Sequence, residues 1–182
     1  MSLNDIMQLD ICSYYKRPQN KDVWGDRERF TLRYIATLNI PVAVKLDIAL
    51  STGVLRQPVL DELWCHIVDE AVMAFEQRHP HDIRPRRANT IHRAYLRGEA
   101  TEEEWRSAKI EAMNAAFEAL YDGSHGGFEA ALAACADNAQ TAAMDTIDIT
   151  VSLYGKIPSP ILSSIRDDVA HRYLRWAIAA DQ

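Results

Sequence analysis

Apolar side chains recur every three or four residues through the middle of the chain. The pattern is cleanest over residues 57–78, where it comprises Leu60, Leu63, Trp64, Ile67, Ala71 and Phe75. Side chains at this spacing line one face of an α-helix, because the helix completes a turn every 3.6 residues. The sequence therefore predicts an amphipathic helix over 57–78 that packs its apolar face against a neighbour.

The next segment carries the signals of two helices joined by a short turn. The break at 79–82 is followed by Pro85, which a helix tolerates in its first turn. Gly98 is suited to ending that helix, since glycine readily adopts a left-handed backbone conformation. Thr101 and Glu104 then form a capping box, in which each side chain accepts a hydrogen bond from the other residue's backbone N–H group. The sequence predicts an αα-hairpin over 78–121.

Three faces can be drawn on the second helix of this hairpin at roughly 100° per residue. One is polar and mostly acidic: Glu103, Ser107, Glu111, Asn114, Glu118 and Asp122. A second is small and apolar: Trp105, Ala108, Ala112, Ala115 and Ala119. A third carries large apolar residues: Ile110, Met113, Phe117 and Leu120. We expect this helix to be packed on most sides, to lie at the centre of the fold and to show solvent one narrow acidic strip.

The rest of the chain also favours helices. We predict them over 2–15, about 26–38, 42–50, 128–154 and 159–180. Residues 42–44 alternate as a strand would, but no partner strand is visible, so helix is preferred. The glycine-rich loop 122–127 marks a helix end and restart, because a phosphate-binding loop would need a preceding strand and a following lysine. The prediction is an all-α, single-domain bundle of about six to eight helices over 1–182, with 1–23 a candidate N-terminal helix and connector.

Composition narrows the class of protein. A chain of 182 residues, 48% of them hydrophobic, can bury about 70% of its unfolded surface, which excludes a disordered or fibrous class. Cys12, Cys65 and Cys135 are odd in number and far apart, which favours buried thiols in a reducing compartment over disulfides. The start lacks a basic signal-peptide region, and no stretch approaches the ~20 apolar residues of a membrane span. We expect a soluble, cytoplasmic protein with no membrane contact.

Charge is distributed more unevenly than the net value of −6 indicates. Over 78–97, six arginines face one acid, Asp82. Over 99–148, eleven acids face Arg106 and Lys109. Two interpretations remain open. The basic and acidic helices could neutralise each other across the hairpin, or an acidic face could be kept for a basic partner protein, which charge would steer into contact. The second predicts partner-binding residues Glu103, Glu111, Glu118 and Asp122.

Residues that could carry chemistry are present but not in catalytic patterns. None of the six histidines forms an H-E-x-x-H motif, and His79 and His81 form a loop cluster without a second ligand pair. No serine or cysteine lies in a nucleophile motif. The arginines of 84–97 could contact nucleic acid, but the pI of 5.5 and the acids downstream would repel phosphate. We predict no metal, no cofactor, no enzyme activity and no direct nucleic-acid contact.

Five residues are instead assigned structural roles. Asp82 can accept a hydrogen bond from an N–H group at the start of a helix and bind an arginine, which would fix the turn next to Arg84 and Arg87. Thr101 and Glu104 cap the second helix of the hairpin.

The same stretch resembles a known family. Phe75-Glu76, the run 82–88 with its D-x-R-P-R turn, and the R-G-E step within 94–99, followed by an alanine-rich helix, resemble the immunity proteins of bacterial toxin systems. The similarity covers roughly 57–150. About the first 40 residues and the helix over 158–182 do not align with that family. The resemblance implies an all-helical, protein-binding antagonist that occludes a toxin effector.

Two alternative functions stay open. One is a phage- or mobile-element-encoded inhibitor of a nucleic-acid-binding defence complex, whose acids would imitate phosphates. The other is a helical scaffold or homo-oligomer whose acids serve solubility.

Overall fold

The computed structural model describes residues 30–51, 54–153 and 159–180. These residues form eight α-helices and no strand, which confirms the predicted all-α class and helix number. The helices are α1 (Leu32–Thr37), α2 (Val42–Leu50), α3 (Gln57–Glu76), α4 (Arg84–Leu96), α5 (Glu102–Tyr121), α6 (His125–Ala133), α7 (Ala139–Leu153) and α8 (Ser159–Ala180). The helix predicted over 2–15 and the start of the one predicted over 26–38 lie outside the described residues.

Internal contacts divide the chain into two compact units. One comprises Met1–Leu60 with Asp167–Gln182, and the other comprises Asp61–Arg166. The prediction of one domain over 1–182 stays a prediction. In the first unit, residues 42–44 are helical, as predicted, and Pro41 occupies the N-cap of α2. The Arg56 guanidinium donates to the carbonyl of Ala180 at 3.4 Å.

The hairpin of the second unit is bounded by the predicted caps. After α4, Gly98 adopts a φ of 72°, which a β-carbon would disfavour. The N–H of Glu99 donates to the carbonyl of Ala94 at 2.8 Å, the long hydrogen bond of a Schellman helix end. At the start of α5, Thr101 Oγ1 accepts from the N–H of Glu104 at 3.2 Å, and Glu104 Oε2 accepts from the N–H of Thr101 at 2.7 Å. The capping box is confirmed.

The loop 122–127 ends one helix and starts the next, also as predicted. Gly123 has a φ of 77°, and the N–H of Ser124 donates to the carbonyl of Ala119 at 2.8 Å. The next helix, α6, begins at His125. Both ends of α5 are therefore closed by local hydrogen bonds, which sets its length.

The single helix predicted over 128–154 is wrong. Helix α6 ends at Ala133 and α7 begins at Ala139. The Asn138 Oδ1 atom accepts a hydrogen bond from the N–H of Thr141 at 2.8 Å, as an N-cap side chain does. Alanine favours helix but cannot satisfy the free N–H groups of a helix start, whereas asparagine can, so the chain breaks before Asn138.

Small side chains dominate the core of the second unit. Helices α3, α5, α6 and α7 contribute Ala71, Phe75, Ala115, Ala116, Ala119, Ala130, Ala131, Ala133 and Ile149, all almost fully buried. Methyl groups at these contacts let helix backbones approach closely, and α5 packs against both α4 and α6. Helix α5 contributes Ala115, Ala116 and Ala119 to this core, and its expected place at the centre of the whole fold stays a prediction.

Candidate protein-binding face

The turn before α4 is held by Asp82. Its Oδ1 atom accepts from the backbone N–H of Arg84 at 3.1 Å and from Arg84 Nε at 2.9 Å, while Oδ2 accepts from Nη2 at 2.7 Å. These hydrogen bonds hold the pKa of Asp82 below its usual value, against the opposing effect of burial. The structural roles predicted for Asp82 and Arg84 are confirmed by this geometry.

The same arginine also reaches α5. Arg84 donates from Nη1 and Nη2 to the two carboxylate oxygens of Glu118, at 3.0 and 2.5 Å, and lowers the pKa of Glu118. One turn further along α4, Arg87 Nη1 donates to Glu111 Oε2 at 2.6 Å. Arg87 therefore also has a structural contact, although it does not bind Asp82.

These pairs correct one expectation. Glu111 and Glu118 were expected to point away from packed neighbours and to keep their charge for a partner. They instead face α4, because residues seven apart fall on one side of a helix and α4 packs along that side. Both ion pairs remain partly open to solvent, with the Glu118 side chain 63% exposed. Neutralisation across the hairpin is the correct interpretation for these two acids.

The opposite side of α4 is paired with α3 in the same way. Arg86 donates to both carboxylate oxygens of Glu76, at 2.8 and 2.5 Å. Arg93 pairs with Asp69, which also accepts from Asn89 Nδ2 at 2.8 Å. Beyond the helix, Arg97 pairs with Glu99 at 2.7 Å. Each arginine from 84 to 97 thus has a carboxylate partner within the chain.

Glu103 and Asp122 differ from the other acids of α5. Both are exposed, and within the described parts of the chain neither has a Lys, Arg or His nitrogen within 4 Å. The neighbouring acids are engaged: Glu102 binds Arg106 at 2.8 Å, and Glu104 closes the capping box. Of the four predicted partner-binding residues, Glu103 and Asp122 keep an unpaired carboxylate.

The large apolar residues of α5 are open to solvent. Ile110 is 56% exposed, Met113 39%, Phe117 47% and Tyr121 89%. At roughly 100° per residue these four side chains fall within about 80° of one another, so they form one stripe, called here the α5 stripe. Packing on most sides of α5 was expected, and for this face the expectation is wrong. The alanine faces of α5 take the places against α4 and α6, and the bulkier face is the exposed one.

An aromatic cluster lies behind the first turns of α5. The His92 ring stacks on Trp105 at a centroid distance of 4.8 Å and meets Trp64 edge-on at 4.1 Å. Burial lowers the pKa of His92 to about 4, with Lys109 and Arg93 adding to the effect. Cys65 Sγ lies 3.8 Å from His92 Nδ1. Burial raises the pKa of Cys65 to about 11, so this pair is a neutral part of the core rather than an activated nucleophile.

Cys135 has a similar environment. It is a free, buried thiol whose pKa burial raises to about 12. Both described cysteines therefore match the prediction of buried thiols, while Cys12 lies outside the described residues. Among the residues described, no group of three or more His, Cys, Asp and Glu side chains is placed to hold a metal ion.

A cavity of about 580 Å³ opens beside the Asp82 turn. Its lining comprises Arg78, His79, Pro80, His81, Asp82, Arg84 and Glu118. The Arg84 guanidinium in its wall is already bound to two carboxylates, and those carboxylates offset the cationic groups around them. The cavity therefore presents mixed charge with no single ligand chemistry.

The fold and this face define an all-α protein that presents an apolar helical stripe with the exposed acid Glu103 near its start. No protein-family model, curated protein or solved structure matches the chain. In the part of the chain that the structure describes, no helix is long and apolar enough to cross a membrane.

Proposed function

We propose that the chain is a non-enzymatic, protein-binding antagonist that contacts its partner through the solvent face of α5. The observation that carries this proposal is the exposed α5 stripe. Four large apolar side chains in one contiguous line favour a protein contact, because such groups gain free energy when a partner removes them from water. Single exposed apolar residues are common on protein surfaces and would not indicate a binding site.

Charge supports a basic partner. The carboxylate of Glu103, which has no ion-pair partner among the described residues, lies at the start of the stripe, while the paired acids Glu111 and Glu118 lie beside it. Exposed negative charge accelerates encounter with a positively charged protein, and an apolar centre then sets the lifetime of the complex. In this proposal the ion pairs at the edge exclude water from the contact rather than bind the partner directly.

The resemblance over 57–150 narrows the proposal to an immunity-type role, in which the partner is a toxin effector and binding occludes it. The internal pairing of each arginine over 84–97 supports a protein partner over nucleic acid.

The test is capture of partners from the native host by the tagged full-length chain, run in parallel with Phe117→Asp and Met144→Asp. Met144 is the matched control. Like Phe117 it is a large apolar residue with about half of its surface exposed, 46%, but it lies on α7. We expect a partner that the wild type and Met144→Asp retain and that Phe117→Asp retains at least ~10-fold less. Circular dichroism verifies that both variants are helical.

The partner's gene is then expressed alone and together with the chain. An immunity role predicts that the partner alone arrests growth and that the chain, but not Phe117→Asp, restores it. A partner retained equally by Phe117→Asp rules out the α5 face. A partner that depends on Phe117 but has no toxicity keeps the binding face and rules out the immunity role.

A further inference from the structure

Helix α4 buries different side chains from those of its neighbour α5. Two of its four buried residues, Asn89 and His92, are polar, whereas the buried residues of α5 are all alanines. The larger aliphatic residues of α4, Ile91 and Leu96, are only partly buried. Removal of apolar surface from water is the main force that holds packed helices together, and α4 gains little of it.

The two buried polar residues of α4 are incompletely hydrogen-bonded. Asn89 Nδ2 donates to the carbonyl of Cys65 at 3.3 Å and to Asp69 Oδ1 at 2.8 Å, but no group of the described chain pairs with Asn89 Oδ1. His92 Nε2 likewise has no hydrogen-bond partner among the described residues. Burying a polar atom without a partner costs free energy, which water returns when the atom becomes exposed. This cost favours opening of the contacts that α4 makes.

Ion pairs hold α4 on both sides instead. They are Arg84–Glu118 and Arg87–Glu111 toward α5, and Arg86–Glu76 and Arg93–Asp69 toward α3. The paired side chains are 29–63% exposed, so dissolved salt reaches every pair. Exposed charges attract each other less strongly as salt rises, because the screening length falls from about 10 Å at 0.1 M to about 3 Å at 1 M. The attachment of α4 should therefore weaken with ionic strength.

The alanine-rich core of the second unit does not depend on α4. The residues of that core come from α3, α5, α6 and α7, and none of them lies on α4. Turns at 77–83 and 97–101 flank α4, and the second contains Gly98 with its φ of 72°. Helix α4 can therefore move as a unit while the alanine contacts between α5 and α6 stay closed.

We propose that α4 is a strap that detaches from α3 and α5 while the alanine-rich core stays folded, and that ionic strength sets the fraction of molecules in which it is open. Opening breaks the ion pairs on both sides of the strap. The closed strap thus neutralises an acidic surface on α3 and α5 that the open strap leaves charged. This inference goes beyond the proposed function and does not depend on it, because only the attachment of α4 carries it.

The test is native-state hydrogen exchange of the full-length chain, measured by NMR at about 0.05 M and about 1 M NaCl. Amides of α4 report on the strap, and amides of α6 report on the alanine-rich core in the same sample. At low salt we expect the protection of α4 to be at least ~10-fold lower than that of α6. At high salt it should fall by a further ~3-fold or more, while the protection of α6 changes by less than ~2-fold.

A double variant tests whether the ion pairs cause this response. Arg86→Met/Arg87→Met removes one pair on each side of the strap, so it should speed α4 exchange at low salt by at least ~3-fold and reduce the response to salt. Arg33→Met/Arg175→Met changes the net charge equally at exposed sites on α1 and α8, and it should leave α4 exchange unchanged. Circular dichroism verifies that both variants are helical.

Three results would overturn the inference. Equal protection of α4 and α6 at both salt concentrations would mean that α4 opens only when the whole unit unfolds. An α4 exchange rate that does not respond to salt would mean that its attachment is not ionic. Equal effects of the two double variants would mean that net charge, rather than the pairs of α4, controls opening. None of these results changes the outcome of the capture experiment with Phe117→Asp, so the proposed function is decided separately.

Discussion

The packed side and the solvent side of α5 differ in which apolar side chains are buried and which acids are paired. On the side that packs against its neighbours, alanines fill the contact, and Glu111 and Glu118 are bound to arginines of α4. On the solvent side, the side chains of the α5 stripe are 39–89% exposed, and within the described residues Glu103 has no ion-pair partner. In the sequence the acids of α5 seem free to bind a partner, but two of them form ion pairs with α4. The large apolar residues of α5 resemble core residues in the sequence, but they are exposed. The comparison moves the candidate contact from charge alone to apolar surface with one acid, Glu103, near its start.

The largest expected effect is a pH dependence of stability that comes from His92 in the aromatic cluster with Trp64 and Trp105. The folded-state pKa of His92, about 4, lies below the ordinary 6.5, so the unfolded chain binds more protons between these values. The contribution of neutral His92 to the free energy of unfolding is complete above pH 6.5 and is lost as pH falls through about 4. Its total is about 3 kcal/mol. Urea unfolding at a series of pH values between 7 and 4 measures this slope.

The His92→Phe variant keeps an aromatic ring without the titrating group, so its stability should change less over the same pH range. If His92→Phe retains the full slope, other groups cause it and His92 is not held neutral by burial.

The next effect tests how tightly the alanine side is packed. Ala116 is fully buried, so Ala116→Leu should destabilise the fold by about 2 kcal/mol through overpacking. Asn114→Leu adds the same side chain two residues away on the exposed face and should change stability by less than about 0.5 kcal/mol. Chemical unfolding of both variants measures the difference. Equal stabilities would mean that the two sides of α5 do not differ in packing.

A smaller effect on stability is expected from removing Arg84 or Arg87, and the two losses should differ. Arg84→Met removes a guanidinium shared by Asp82 and Glu118 and should cost about 1 kcal/mol, because two neighbouring carboxylates lose their counter-charge. Arg87→Met breaks one exposed pair and should cost less, between about 0 and 1 kcal/mol. Carboxylate titration by NMR should show the pKa of Asp82 rising toward its ordinary value only in Arg84→Met. An unchanged Asp82 pKa there contradicts the shared pairing.

The smallest effect on stability is expected at the α5 stripe. Ile110→Ser/Tyr121→Ser removes two exposed apolar side chains, so the free energy of unfolding should change by less than about 0.5 kcal/mol. As a control, Ile67→Ser in the buried face of α3 should destabilise strongly, because it removes a fully buried side chain. Thermal unfolding compares the two. A stripe variant as unstable as the Ile67 variant would place the stripe in the core.

Features encoded by neighbouring residues were predictable from the sequence. Gly98, the Thr101–Glu104 capping box and Pro85 each act within one helical turn, and the predicted hairpin follows them closely. The bounds of α2 were predicted for the same reason. Asn138 carries a similar local signal for the break between α6 and α7, but the alanine-rich pattern on both sides of it favours one continuous helix.

The face of α5 could not be predicted in this way. Which carboxylates are paired depends on how α4 is rotated against α5, and which apolar face is covered depends on how many helices pack around it. Neither quantity is local in sequence. Periodicity grouped Ile110, Met113 and Phe117 on one face correctly, but it did not indicate whether a neighbour from the same chain covers that face.

The caps at both ends of α5 have a consequence for how its length can vary. A single residue inserted between Ile110 and Phe117 would turn everything after it by about 100° relative to everything before it. Phe117 and Tyr121 would then leave the line of Ile110, and Glu118 would move away from Arg84. We expect related chains to tolerate insertions in the connections before Thr101 and after Gly123, and to keep the intervening helix at constant length.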